Sequence, residues 1–209
     1  MIETDIYGGK LQLKEQRLCL DFANTANWHA SEQPVEELTS YAALVEWTRQ
    51  VGLLTAEESE HLLRLAAQQP ADAAAALARA VDLREAIYRI FSAIAAGRTP
   101  EPTDLLLLNG WFSSGLGRLQ VTQTAGSFGW QWQGATAALE GMLWPVAHSA
   151  AELLISDELD RVKECADERG CGWLFFDTSR NLSRRWCSME SCGNLAKVRR
   201  HRRKHDRAV

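Results

Sequence analysis

Cysteine placement constrains this chain most. Four of its five cysteines lie in the last quarter, in the spacing Cys165-x5-Cys171-x15-Cys187-x4-Cys192. Two close pairs of thiolates, each on a tight turn and joined by a segment long enough for a hairpin, meet the demand of a zinc ion for four tetrahedral soft ligands. The intervening residues suit that geometry: Gly172–Asp177 is strand-like, Ser179–Asn181 turn-like, and Arg184–Trp186 leads back to Cys187. Residues 194–205 have helix-forming composition, which puts the last ligand at a helix start, as in treble-clef-like zinc modules. In this reading the module holds one structural Zn2+ and leaves no coordination position for a reacting water. Two other readings stay open. The thiols are unpaired, or Cys187 and Cys192 join His201 and His205 in a two-Cys, two-His set that strands Cys165 and Cys171.

Charge divides at the same place. The whole chain carries a formal net charge of -4, which as an average argues against a nucleic-acid partner. Met1–Asp160 holds 10 Lys+Arg against 21 Asp+Glu, hence -11, whereas Arg161–Val209 holds 13 against 6, hence +7. Such asymmetry predicts two modules, 1–158 and 159–209, with different partners. No apolar run approaches the roughly 18–20 residues that span a bilayer, and Met1–Asp5 is acidic where a secretory signal is basic. The expectation is a cytoplasmic protein with no membrane partner, a setting in which clustered cysteines serve metals more than disulfides.

The acidic module reads as mainly helical. Lys10–Leu13 and Leu18–Phe22 have the form of short strands. Thr39 or Ser40 caps a helix to about Val51, and Thr55 with Glu58 forms a capping box for a second that stops before Pro70. An alanine-rich helix spans about Ala71–Ala96, another about Thr103–Ser113. Leu119–Gln123 and Phe128–Gln133 flank Ala125–Gly126–Ser127 as a hairpin. A last helix, about Thr136–Ile155, contains Pro145, which is expected to kink or split it. The fold class is α+β: a mainly α-helical N-terminal domain with a small β-hairpin, followed by the zinc module.

Within this module Asp21, Asn24 and His29 follow an apolar segment, where sites often sit, although Asp and Asn there more commonly make turns. A pocket walled by these residues with Trp144 and His148 would support a ligand-binding protein or enzyme, with the finger as a docking element. Cys19, flanked by Leu18 and Leu20, reads as a small core hydrophobe, and Gly8–Lys10 as a turn.

The basic end favours a different partner. Lys197–Arg207 packs seven Lys/Arg into 11 residues, whose mutual repulsion an anionic partner relieves. On a helix, Leu195 and Val198 share a face expected to pack on the zinc core. Lys197, Arg199, Arg200, Arg203, Lys204 and Arg207 are the candidate phosphate contacts, with Arg180, Arg184 and Arg185 secondary. DNA is the expected partner. RNA is a further option if Trp173 or Trp186 were exposed for stacking, but both are expected to pack over the zinc site. The mechanism is then recognition, not catalysis.

Several stretches resemble a known family. Cys171–Asn181, Arg185–Met189 and Cys192-Gly-Asn-Leu-Ala-Lys-Val-Arg-Arg-His201 are similar to the CGNR zinc-finger family of bacterial proteins. Leu18–Thr25 and Trp144–Leu154 resemble the ABATE domain that precedes that finger. The resemblance implies a stress-induced bacterial transcription regulator whose finger binds DNA, with zinc ligands mapping onto Cys165, Cys171, Cys187 and Cys192. Leu195 stands where the motif carries its arginine, and the first cysteine pair is one residue wider. The helical domain is expected to supply homodimerisation or sensing of a small-molecule effector.

Overall fold

The computed structural model describes residues 17–124 and 126–199. The strand expected at Lys10–Leu13, the turn at Gly8–Lys10, and the candidate residues Arg200, His201, Arg203, Lys204, His205 and Arg207 lie outside the described residues. In chain order the elements are α1 (Leu18–Ala23), β1 (Ala26–Asn27), β2 (Val35–Glu36), α2 (Tyr41–Gln50), α3 (Ala56–Gln68), α4 (Pro70–Ala95), α5 (Pro102–Leu116), β3 (Leu119–Thr124), β4 (Ser127–Trp132), α6 (Trp144–Leu154), β5 (Val162–Glu164) and β6 (Leu174–Phe176). Residues 194–199 form a further helix, α7. Among the described residues the strands make three separate antiparallel pairs, so the body is helical with small sheets.

Local chemistry sets several of these boundaries. Ser40 Oγ accepts from the Ala43 N–H at 3.1 Å at the start of α2. At α3 both arms of the capping box close: Glu58 N–H donates to Thr55 Oγ1 (3.2 Å) and Thr55 N–H to Glu58 Oε2 (2.8 Å). α4 is the central helix, with Ala76, Ala80, Leu83, Ala86, Ile87, Ile90 and Phe91 all removed from solvent. Its alanines let neighbouring helices approach closely, while the larger residues fill the space further along. Arg84 is buried on the same helix and makes a bidentate pair with Glu36, reached from β2 (2.5 and 2.7 Å).

Two expectations for this module fail. Leu18–Phe22 is helical, not extended. Leu18, Cys19, Leu20, Phe22 and Ala23 are all buried while Asp21 is exposed, and a buried segment whose backbone pairs with no strand satisfies its polar groups by winding on itself. Pro145 does not kink a longer helix; it stands in the first turn of α6, where its missing N–H costs no helical bond, and a short 3-10 turn at Gly141–Leu143 precedes it.

The hydrophobic core runs across both charge modules. Val162 of β5 and Leu174 of β6 belong to the same cluster as Phe22, Phe91 and Leu153. Asn24 strengthens this junction: its Nδ2 donates to the Leu174 carbonyl (2.8 Å) and its Oδ1 accepts from the Leu174 N–H (2.9 Å). One side-chain amide thus occupies the edge of β6 as a neighbouring strand would. No helix among the described residues is long and apolar enough to cross a membrane.

Candidate metal centre

β5 and β6 carry the chain into and out of the first cysteine pair. Their register, Val162↔Phe176, Lys163↔Phe175 and Glu164↔Leu174, makes residues 165–173 the connection between them. The expected hairpin partner of β6, Arg184–Trp186, is therefore not a strand. Asp177 turns the chain away: it is fully buried, its carboxylate takes the Lys163 ammonium (2.8 Å) and the N–H groups of Ser179 (2.8 Å) and Arg184 (3.0 Å), and Leu182 adopts φ +47°. Residues 184–187 then return beside the first pair, with Ala166 N–H donating to the Arg185 carbonyl (2.9 Å). The second pair closes on a π-turn, Met189–Gly193, capped by Ser188 Oγ and leading into α7.

The four sulfurs converge. The Sγ atoms of Cys165, Cys171, Cys187 and Cys192 all lie within 4.8 Å of one another. Cys171 and Cys187 are 3.7 Å apart and Cys187 and Cys192 3.8 Å. A zinc–sulfur bond of about 2.3 Å implies a tetrahedron edge of about 3.8 Å, which the two separations at Cys187 match, and the cluster as a whole is compact enough to enclose one ion. The Cys187 N–H points at Cys165 Sγ (3.5 Å), the kind of backbone support that orients a ligating sulfur. Contacts from the Cys171 and Cys187 thiols pull the Cys165 thiol far below its ordinary range, and the same crowding pushes Cys187 far above it. A bare cluster cannot ionise all four; a divalent cation removes that conflict and deprotonates the set. These residues hold one structural zinc.

The surroundings of the cluster are apolar and cationic. Trp28, Trp173, Trp186 and Cys187 pack against Cys165, Cys171 and Cys192, which keeps Trp173 and Trp186 over the metal centre as expected. Nothing near the cysteines in sequence marks Trp28, which comes from the β1–β2 loop. Asp167 lies buried beside the cluster, held by Arg169 (2.5 Å) and by Arg199 of α7 (3.4 Å). Hydrogen bonds from Arg169 keep its carboxyl below the usual carboxylate range. Arg199 is thus partly committed within the protein. Arg184 is wholly so: it donates to the carbonyls of Trp186 and Cys187 and lies 4.7 Å from the Phe175 ring. Lys197, Arg180 and Arg185 are exposed. Leu195 and Val198 do not pack on the zinc core; they stand 42% and 47% exposed on α7, which leaves the π-turn with that face toward solvent.

The residues of the rival site fall into two groups. Asn24 is engaged with Leu174, and His29 is stacked on Tyr88 (3.5 Å between centroids), with its Nε2 3.1 Å from Glu85. Trp144 and His148 instead meet Trp132 at the base of the β3–β4 hairpin, and His148 also faces Phe112. Asp21 is exposed on α1. Among the described residues no hydrogen bond or ring contact joins the groups, and Phe22, Val146, Ala147 and Ala150 fill the space where α1 meets α6. Cys19 is buried there too, and burial pushes its thiol up to about 12, as befits an inert core sulfur.

Asp177 carries a testable pH effect. Burial pushes its carboxyl up, but the Lys163 ammonium and the hydrogen bonds from Ser179 and Arg184 outweigh burial and hold it below the ordinary carboxylate range. A depressed folded pKa contributes stability that is complete above the unfolded value of about 3.9 and is lost as pH falls toward the folded value. Asp177→Asn is expected to cost about 1.5–3 kcal/mol in urea unfolding at neutral pH, with the gap from wild type narrowing below about pH 4. A gap that stays constant with pH would contradict the role of the charge.

The fold and the four-sulfur site define a helical domain fused to a structural zinc finger. The chain belongs to the ABATE family: residues 16–157 match its sequence model, described as "Putative stress-induced transcription regulator". Residues 161–205 match the CGNR zinc finger. No curated protein matches the chain.

Proposed function

We propose that this protein is a DNA-binding transcription regulator that contacts DNA through the basic end of its zinc module. The observation that carries this reading is the launch point of α7. The sulfur cluster fixes Cys192, the π-turn fixes the direction in which the chain leaves it, and the run of seven cations begins within that helix at Lys197. Metal-fixed placement of a cationic segment is a device for presenting charge to phosphates, and the -11 of Met1–Asp160 turns the rest of the molecule away from the polyanion. Lys197 is assigned to phosphate contact together with Arg200, Arg203, Lys204 and Arg207. Arg199 serves both Asp167 and the nucleic acid. Four thiolates leave the metal no open position, so its role here is architectural and the activity is recognition, not catalysis.

A salt titration tests this. If these six cations neutralise phosphates, the log–log dependence of duplex affinity on salt has a slope of about -5, from about -0.9 per contact. Binding that is insensitive to salt would overturn the assignment, and binding that persists after zinc is chelated would remove the metal from it.

A further inference from the structure

We infer that the metal centre is completed by the ABATE domain, with Trp28 as a positioning residue for the four sulfurs. Every zinc ligand lies within the finger segment, 161–205, yet one wall of the cluster comes from more than a hundred residues earlier. Trp28 packs against the cluster formed by Cys165, Cys171 and Cys192, and the Arg169 guanidinium lies over its ring, 4.7 Å from the centroid. It holds this place at φ +55°, a left-handed conformation that a bulky residue adopts only where its surroundings impose it.

The loop is clamped on both sides. The His29 N–H donates to the carbonyl of the ligand Cys171 (3.1 Å), and its ring is stacked on Tyr88 of α4. One turn further along α4, the Ser92 hydroxyl donates to Glu164, the residue preceding the ligand Cys165 (2.6 Å). The metal loop meets this segment backbone to backbone. A Cβ on Gly172 would come 2.6 Å from the Ala30 nitrogen, and one on Gly170 2.7 Å from the Ser31 nitrogen. Both glycines have positive φ, so their lack of a side chain serves conformation and close approach together.

An apolar cover of this kind controls water access to the zinc–sulfur bonds, and the clamped loop fixes where the Cys171 sulfur sits. Zinc affinity is accordingly a property of the two family segments together. The test uses the full chain loaded with one zinc and an excess of a chromogenic chelator, following metal release alongside far-ultraviolet circular dichroism. Trp28→Ala is expected to release zinc about 10–100-fold faster than wild type while keeping its helical signal. Trp130→Ala, on the exposed face of the β3–β4 hairpin, is expected to release it at the wild-type rate. A folded Trp28→Ala that releases zinc like wild type overturns the inference. If the alanine variant loses its helical signal, Trp28→Phe decides: release faster than wild type supports the inference, and release at the wild-type rate overturns it.

Discussion

Serine in place of Cys171 is expected to take the zinc content of the purified protein from one ion per chain to close to none after dialysis. Cys171 lies 3.7 Å from Cys187 and within 4.8 Å of both other sulfurs, so its loss removes one vertex of the tetrahedron and leaves three thiolates crowded without their charge balance. Structural zinc contributes apparent binding free energies of about 10–16 kcal/mol in small fingers, and an incomplete ligand set forfeits a large part of that. The effect should reach beyond the finger. Val162 and Leu174, on the strands flanking the first cysteine pair, are buried in the main core, so the helical domain's thermal transition is expected to fall with the metal. Cys171 also separates the two ligand sets that its spacing leaves open. A set built from Cys187, Cys192, His201 and His205 would keep its zinc in Cys171→Ser. A Cys19→Ala control, altering a buried thiol outside the cluster, should still contain one zinc per chain.

Removal of residues 200–209 is expected to abolish most DNA affinity while leaving the zinc in place. The deleted segment carries Arg200, Arg202, Arg203, Lys204 and Arg207, five of the seven cations in the run. At about 0.9 logarithmic units of salt dependence per phosphate, the loss of the four assigned contacts Arg200, Arg203, Lys204 and Arg207 amounts to roughly three to four orders of magnitude at 0.1 M salt, with the slope shallower by about 3.6. Fluorescence anisotropy with a labelled duplex reads both quantities. A full-length variant with the same five residues changed to glutamine should match the truncation, since the effect lies in charge and not chain length. Equal binding by truncated and full-length protein would return the search for a nucleic-acid surface to Lys197, Arg180 and Arg185.

How much of this was legible in the sequence depends on how far apart the interacting residues are. The zinc ligands and the Thr55–Glu58 capping box are local patterns whose chemistry restricts geometry, so spacing alone locates them. The central helix announces itself through composition. Leu18–Phe22 does not: a short apolar run has the same appearance as strand or as buried helix, and only the surrounding helices decide between them. The partner of β6 escapes notice because Val162–Glu164 is three residues long with no alternation to mark it. Leu195 and Val198 are spaced to share a helical face, but spacing does not say which way a π-turn aims that face. Trp28 is the extreme case. Its function is defined by cysteines far along the chain, and no neighbouring residue signals it.

The Asn24–Leu174 clasp has a consequence in time. Its two partners are separated by 150 positions, and at bacterial or eukaryotic elongation rates of about 5–20 residues per second the second is made roughly 8–30 s after the first. Through that interval the Asn24 amide at the end of α1 is unmatched, because β6, the strand it will hold, does not yet exist. The helical domain therefore goes without this clasp until the finger is made. A chain interrupted before Leu174 lacks both the clasp on Asn24 and the Leu174 side chain that the main core buries, and is expected to be digested by a protease faster than the full chain.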